Sequence, residues 1–356
     1  MMARALRLAK RGLYSAHPNP RVGCVIAKDG EILGEGWHRK TGEAHAEINA
    51  LERAGAAAEG STVYVTLEPC SHHGKTPPCA DALVAAGVMR VIAAMQDPSA
   101  RVAGDGFDRL RAAGIEVRTG LLEAEALSLN EGFASRARRG RPFVRLKLAA
   151  SLDGATAMTS GESQWITGAE ARRDVQKLRA ASGAVMTGVG TVIADDPSLT
   201  VREPDLPTAG VQPVRVVLDA SLRMPPDAKM LGLDGETLVY CITATGGEAL
   251  EKAGATVIET ASVHDRVALP PVLASLAERG VNDVLVEAGP TLAGALLAAE
   301  LVDELVIYQA PQIMGSETRR LAQTPGWQAL DQRLALDVVD LRRFGGDIRM
   351  TARPTS

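Results

Sequence analysis

The feature that most constrains this chain is a set of metal-ligating side chains near its start. His45 and Glu47 stand two residues apart, and Cys70 and Cys79 follow. Catalytic zinc takes three protein ligands, usually nitrogen or sulfur, and keeps a fourth position open for water. The fold must therefore bring one imidazole and two thiols together, with the Glu47 carboxylate left over to move protons.

Short strands and helices are predicted around these residues. We expect strands over residues 22–27, 31–37, 62–67, 88–94 and 115–119. We expect helices over residues 44–54, 80–86 and 105–113. After the opening hairpin, strands and helices alternate along the chain. This order predicts an α/β layered fold.

The predicted elements give the motif residues different roles. His45 and Glu47 fall in the first turn of one helix, where side chains two positions apart diverge by about 200°. One of them can bind an ion while the other leans over the neighbouring space, so Glu47 is predicted to carry protons. Cys79 is expected at the start of the next helix, whose dipole favours a thiolate. The predicted zinc ligands are His45, Cys70 and Cys79.

Several neighbouring residues have more modest interpretations. A structural zinc site is an alternative, with His72 or His73 as the fourth ligand. Glu68 is expected to cap or hydrogen-bond the loop beside the motif. Cys24 lies in a predicted strand and is expected to be a buried apolar residue. His38 is expected at the rim of the pocket or on the surface.

Length and charge limit what the whole chain can be. Its 356 residues are too many for one average domain and suit two. The net charge of −4 disfavours a large nucleic-acid surface. No apolar run reaches the roughly 18 residues that a membrane span needs. From the charge and the short apolar runs, we expect neither a nucleic-acid nor a membrane partner. Four cysteines do not make a disulfide framework, so we expect a reducing compartment.

The predicted domain boundary follows a basic seam. Residues 1–142 are expected to form the first domain, with a linking helix and an arginine-rich seam over residues 121–142. Residues 143–356 are expected to form the second. The basic residues 1–17 would also suit a transit peptide. Because apolar residues recur there at helical spacing, we favour an amphipathic first helix and a cytoplasmic protein.

Glycine turns follow the predicted strands of the second half. The strand over residues 184–187 opens into Gly188-Val189-Gly190-Thr191, and a helix is expected to start over residues 288–294, after the strand at 283–287. Free backbone N–H groups at such turns suit phosphate. These turns do not match the G-x-G-x-x-G dinucleotide fingerprint. The residues alone predict an α/β domain with a nucleotide site at its strand ends.

The first half resembles the cytidine-deaminase-like superfamily, whose signature is H-x-E with P-C-x-x-C. This chain has His45-Ala46-Glu47, and eight residues rather than two separate Cys70 from Cys79. The insert over residues 71–78, with His17-Pro18-Asn19-Pro20 and Thr66-Leu67-Glu68-Pro69-Cys70, resembles the riboflavin-pathway pyrimidine deaminases. The resemblance implies a cytidine-deaminase-like αβα domain in which zinc activates water and Glu47 transfers the protons.

The second half resembles the reductase half of the same riboflavin-pathway enzymes. The matching segments are Lys147-Leu148, Ser151-Leu152-Asp153-Gly154, Gly161 through Thr167, Thr191 through Arg202 and Glu287 through Leu292. The resemblance implies a dihydrofolate-reductase-like α/β domain that uses NADPH. The implied NADP contacts are Ala149, Trp165, Thr191, Asp195, Ser221, Gly289, Pro290, Thr291, Leu292, Ala293, Gly294 and Ala295. The implied contacts to a phosphoribosyl substrate are Ser163, Arg179, Leu199, Arg202 and Glu287.

Together the two halves imply a bifunctional enzyme of riboflavin synthesis, with one Zn²⁺ in the deaminase domain and NADPH in the reductase domain. The implied substrate is a phosphoribosylaminopyrimidine, first deaminated and then reduced from ribosyl to ribityl. A homo-oligomer is also expected. One alternative is a nucleoside or tRNA deaminase fused to a reductase of different substrate. The other is a non-enzymatic zinc scaffold whose second half senses nucleotides.

Overall fold

A computed structural model describes residues 1–71, 78–100, 103–326 and 328–355. The chain divides into two compact units. The first comprises Met1–Arg141 with Pro207–Val211, and the second comprises Pro142–Leu206 with Gln212–Ser356. Within the described ranges, no helix is both long enough and apolar enough to cross a membrane.

The first unit is a five-stranded sheet with helices packed on it. Its strands are β1 (Gly23–Lys28), β2 (Glu31–Trp37), β3 (Thr62–Val65), β4 (Arg90–Ala93) and β5 (Glu116–Thr119). Its helices are α1 (Met2–Ala9), α2 (Ala46–Ala54), α3 (Cys79–Ala85), α4 (Asp105–Ala112), α5 (Glu123–Leu129) and α6 (Glu131–Arg139). The strand order is β2-β1-β3-β4-β5, with β1 antiparallel to both neighbours and β3, β4 and β5 parallel. The predicted hairpin and α/β order are confirmed.

The first helix is amphipathic, as predicted. Helix α1 lies against β1 through a buried face, formed by Met2, Ala5, Leu6, Leu8 and Ala9. Its basic residues stay on the exposed side of the helix.

Glycines allow α2 to lie unusually close to the β1–β2 hairpin. A Cβ atom at Gly36 would stand 2.1 Å from the carbonyl oxygen of Ala46, and one at Gly34 would stand 2.2 Å from that of Ala50. Only a residue without a side chain fits at such distances. Because α2 directly follows His45 and carries Glu47, this contact fixes the depth at which both lie in the unit.

The second unit is built on a nine-stranded sheet. The strands of this sheet are β6 (Phe143–Ser151), β8 (Ala184–Gly188), β9 (Val214–Leu218), β10 (Thr237–Cys241), β11 (Ala255–Glu259), β14 (Asp283–Glu287), β15 (Glu304–Ala310), β17 (Leu336–Phe344) and β18 (Asp347–Pro354). Two further pairs form small two-stranded sheets: β7 (Ala155–Ala157) with β16 (Arg319–Arg320), and β12 (Ser262–Val263) with β13 (Arg266–Val267). Its helices are α7 (Ala169–Ala181), α8 (Val189–Asp195), α9 (Glu248–Lys252), α10 (Leu269–Glu278) and α11 (Pro290–Ala298).

The topology of this sheet brings the predicted binding turns to one edge. The order is β11-β10-β9-β8-β14-β6-β15-β18-β17, and the first seven strands are parallel. Strands β18 and β17 close the sheet in antiparallel fashion. Because β6, β8 and β14 are neighbours and parallel, their carboxyl ends lie side by side, where α/β sheets bind ligands.

Candidate active sites

The three predicted metal ligands meet in the first unit. His45 immediately precedes α2 with an extended backbone (φ −72°, ψ 167°), so it caps the helix and does not lie in the first turn as expected. Cys70 follows β3, and Cys79 is the first residue of α3 as expected. Nδ1 of His45 lies 3.2 Å from Sγ of Cys79 and 3.6 Å from Sγ of Cys70. All three ligand atoms lie within 4.8 Å of one another.

These distances fit a tetrahedral zinc ion. With bonds of about 2.3 Å to sulfur and about 2.0–2.1 Å to nitrogen, nitrogen and sulfur ligands of one tetrahedron stand about 3.6 Å apart. A soft N/S/S donor set also favours zinc over magnesium or calcium. Three protein ligands leave one coordination position for water, as catalytic zinc requires. The alternative fourth ligands, His72 and His73, lie outside the described residues.

The two cysteine thiols are not equivalent. The neighbouring Cys79 thiol lowers the pKa of Cys70, with further help from His45 and the backbone N–H of Cys79, which donates to Cys70 Sγ over 3.3 Å. The pKa of Cys79 is raised because its proton is shared with Cys70 and because it is buried. The expected helix-dipole preference at Cys79 is therefore outweighed by its neighbours. A thiolate is stabilised most readily at Cys70.

Glu47 lies in the first turn of α2, 4 % exposed, beside this donor set. Burial raises the pKa of its carboxyl to about 7, and the Cys70 sulfur adds to the shift. Its carboxylate lies within hydrogen-bonding reach of the Cys79 thiol. A carboxyl group that is close to a metal set and titrates near neutrality can both accept and return a proton.

His38 is buried, which corrects its expected position at the rim or surface. Its Nδ1 lies 3.2 Å from the carbonyl oxygen of Ala44, and its Nε2 lies 3.0 Å from Nδ2 of Asn19. Its ring stands edge-on to that of His45, with centroids 5.4 Å apart. Sequence spacing gave no signal for this contact, although His17-Pro18-Asn19-Pro20 had marked the segment that holds Asn19.

A large cleft opens at the carboxyl ends of the strands in the second unit. Its volume is about 2290 Å³, larger than the several hundred Å³ of a typical small-molecule pocket. Nine basic and three acidic residues line it. This size and charge suit a dinucleotide together with a phosphorylated substrate. The glycine turns from which a nucleotide site was predicted, at Gly188–Thr191 and Gly289, line this cleft.

Most of the residues expected to contact NADP or substrate line this cleft. Those that do are Ala149, Ser163, Trp165, Arg179, Thr191, Asp195, Leu199, Arg202, Glu287, Gly289, Pro290, Thr291, Leu292 and Ala295. Three others lie outside its lining. Ser221 is exposed, Ala293 is fully buried, and Gly294 packs against the backbone of Gln323. The ligand contacts of the whole set stay a prediction.

Arg179 and Glu287 form a buried ion pair at the floor of the cleft. Nε and Nη2 of Arg179 donate to the two carboxylate oxygens of Glu287 over 2.6 and 3.1 Å, and Nη1 donates to the carbonyl of Thr200. Burial would raise the pKa of Glu287, but the guanidinium outweighs it and holds that pKa below its usual value. Much of the charge of Arg179 is thus neutralised by Glu287, which leaves Arg202 as the more exposed cation for a sugar phosphate.

Comparisons with known proteins find relatives for both halves of the chain. The profile of the cytidine and deoxycytidylate deaminase zinc-binding region matches residues 1–95, and that of the RibD C-terminal domain matches residues 142–350. The riboflavin biosynthesis protein RibD of Escherichia coli is 51% identical over 98% of this chain and 96% of its own length. The chain belongs to the RibD family. Members of this family are bifunctional enzymes of riboflavin biosynthesis, with a zinc-binding deaminase domain and an NADPH-using reductase domain.

Solved structures of relatives have the same fold over the whole chain. Acinetobacter baumannii RibD (form 1) is 46% identical, with a TM-score of 0.94, and the match covers 100% of this chain and 98% of that one. A diaminohydroxyphosphoribosylaminopyrimidine deaminase/5-amino-6-(5-phosphoribosylamino)uracil reductase from Thermotoga maritima is 34% identical, with a TM-score of 0.89, over 99% and 97% of the two chains. The expected pairing of a deaminase-like and a reductase domain is confirmed.

Removal of the Arg179–Glu287 ion pair is expected to destabilise the fold. Arg179→Met leaves a buried carboxylate without its partner, and we expect the free energy of unfolding to fall by about 3–5 kcal/mol at pH 7. Because the folded pKa of Glu287 is lowered, the pair contributes above the unfolded pKa of about 4.3 and is lost as pH falls through the folded pKa. The loss measured by urea unfolding should therefore shrink towards pH 4. In the double variant Arg179→Met with Glu287→Gln, most of the lost free energy of unfolding should be recovered. An equal loss in the single and the double variant would contradict this explanation.

Proposed function

We propose that the first unit hydrolyses the 2-amino group of 2,5-diamino-6-(5-phosphoribosylamino)pyrimidin-4(3H)-one. The second unit then reduces the ribosyl side chain of the product, 5-amino-6-(5-phosphoribosylamino)uracil, with NADPH. The activity for which the Thermotoga relative is named supports this substrate. The observation that carries the proposal is the N/S/S donor set with the buried Glu47 carboxyl beside it. The division of labour follows residues 1–142 and 143–356.

In the deaminase reaction, His45, Cys70 and Cys79 hold the metal. Zinc bound there supplies the Lewis acidity that makes water a nucleophile near neutral pH. Glu47 accepts one proton of the attacking water and passes it to the ring nitrogen. It then takes the second proton from the oxygen now bonded to the ring carbon and delivers it to the amine, which leaves as ammonia while that oxygen becomes the carbonyl. A pKa of about 7 suits both directions of transfer. His38, held by Asn19 and the Ala44 carbonyl, keeps the segment that enters α2 in place.

In the reductase reaction, the chain binds and orients two anionic ligands. NADPH supplies the hydride. The glycine turn after β8 and the start of α11 at Gly289 offer backbone N–H groups to its phosphates. Arg202 offers its charge to the substrate phosphate, and the Arg179–Glu287 pair fixes the floor on which the ribosyl group rests. None of the four cysteines forms a disulfide in the part of the chain that the structure describes, which suits the reducing cytoplasm.

Incubation with the diaminopyrimidine phosphate tests both halves at once. Without NADPH we expect release of one ammonia and a shift of the ultraviolet spectrum; with NADPH we expect loss of its absorbance as well. In Glu47→Gln, deamination should fall by about 10²–10⁴-fold, because the proton carrier is gone, while zinc content stays at one per chain. The reductase assayed on the deaminated product should be unchanged. Deamination near the wild-type rate in this variant would remove Glu47 from the mechanism.

Arg202→Ala separates the reductase from the deaminase. We expect the KM of the deaminated substrate to rise roughly 10- to 100-fold, because a charge-assisted contact to phosphate is lost. Deamination should keep its wild-type kinetics. Arg173, an exposed arginine outside the cleft that pairs with Glu203, provides the matched control as Arg173→Ala. If both variants behave alike in steady-state kinetics, Arg202 does not hold the substrate phosphate.

The proposal includes self-association through the edge of the nine-stranded sheet. Strand β17 ends the sheet, and its neighbouring residues Val338 and Val339 are 52% and 48% exposed. Leu341 is 64% exposed on the same strand. An open apolar edge of this kind pairs readily with an identical strand across a two-fold axis.

Sedimentation of the purified chain tests this association. We expect a dimer, and we expect Leu341→Lys to shift it to monomer because two buried ammonium groups would face each other. Met89→Lys, at an isolated exposed methionine of the first unit, is the matched control and should remain dimeric. A wild-type monomer, or a Leu341→Lys dimer of unchanged affinity, would remove this edge as the interface.

A further inference from the structure

The carboxylate of Glu68 is bound entirely by backbone N–H groups. One oxygen accepts from Asp97 and Gly104, each over 3.0 Å, and the other accepts from Gly106 over 2.9 Å and from Phe107 over 3.4 Å. The residue is only 6% exposed. Glu68 therefore does hydrogen-bond a loop, as expected, but the loop belongs to β4 and α4 and not to the metal motif itself.

The start of α4 is pressed against the segment that carries Cys70. A Cβ atom at Gly106 would stand 2.0 Å from the carbonyl oxygen of Pro69 and 3.2 Å from the Glu68 side chain. The backbone N–H of Glu68 donates to the carbonyl of Met95, two residues after β4. The segment of Glu68, Pro69 and Cys70 is thus held both by α4 and by the chain that leaves β4.

A second tie runs from α4 to both cysteine segments. Nη1 of Arg109 donates to the carbonyl of Ser71 over 2.8 Å, one residue after Cys70. Its Nε lies 2.5 Å from a carboxylate oxygen of Asp81 in α3, two residues after Cys79. Helix α4 therefore contacts the flank of each cysteine, although none of its residues belongs to the donor set.

We infer that α4 braces the metal site, with Glu68 and Arg109 as positioning residues for Cys70 and Cys79. The inference rests on the proposed zinc ligand set. A loop held by four N–H groups on one buried carboxylate cannot drift without leaving donors unsatisfied. The positions of the Cys70 and Cys79 sulfurs depend on these four hydrogen bonds, and so does the retention of zinc. Groups that orient metal ligands in this way typically change metal affinity by about 10- to 100-fold when removed.

The test is the rate of zinc release from the full-length protein into a chromophoric chelator, well below the unfolding temperature. Glu68→Gln keeps the shape of the side chain but turns an amide N–H₂ group towards backbone donors. We expect release to accelerate roughly 10- to 100-fold and the d–d spectrum of the Co²⁺ form to change. Reductase activity, which resides in the other unit, should be unaffected. Asp105→Asn is the matched control, since it removes an exposed acid from the same helix start without a contact to the cysteine segments.

Arg109→Gln should have a smaller effect than Glu68→Gln, because Arg109 is about half exposed and its loss leaves the Glu68 contacts intact. We expect about tenfold faster release. Release at the wild-type rate in Glu68→Gln, with only a lower melting temperature, would make Glu68 a simple helix cap and overturn the inference. Equal acceleration in Asp105→Asn would do the same. A wild-type protein that binds no zinc would instead overturn the proposed ligand set.

Discussion

The deaminase site depends on one geometric constraint: three backbone segments must end within the space that a single ion fills. Nδ1 of His45 and the sulfurs of Cys70 and Cys79 lie at the edge lengths of one tetrahedron. The imidazole comes from the N-cap residue of α2, one sulfur from the loop between β3 and α3, and the other from the first residue of α3. Element ends are where the chain can change direction, so ligands from different layers can converge there.

The surrounding fold can be understood as support for that convergence. Gly34 and Gly36 let α2 approach the hairpin, which sets the depth of His45 and Glu47. Gly106 lets α4 approach Pro69, which sets the depth of Cys70. In both places a bare backbone makes the contact, and a side chain of any size would displace a ligand-bearing segment. The burial that raises the pKa of Glu47 follows from the same close packing.

The sequence predicted the donor types and the α/β order, because these depend on spacing and local pattern, and the family resemblance implied the pairing of a deaminase with a reductase domain. His45 lies 25 residues from Cys70 and 34 from Cys79, but the chemistry of their side chains and the motif identify all three. The contacts that the sequence did not reveal have no such motif. The burial of His38 depends on Asn19 and on the ring of His45. The Arg179–Glu287 pair links residues 108 positions apart. Neither residue type nor period carries information about such partners, so the family resemblance implies Arg179 only as a contact to the substrate.

The net charge of the whole chain gives no sign of the basic cleft in the second unit. The whole chain carries a net charge of −4, which disfavours a large nucleic-acid surface. Yet nine basic and three acidic residues line the cleft of the second unit. Two phosphorylated ligands cannot be desolvated together without compensating cations, because their mutual repulsion grows as water is excluded. The acidic remainder of the surface offsets this concentration of positive charge, so the cleft can attract its ligands while the protein as a whole stays slightly anionic.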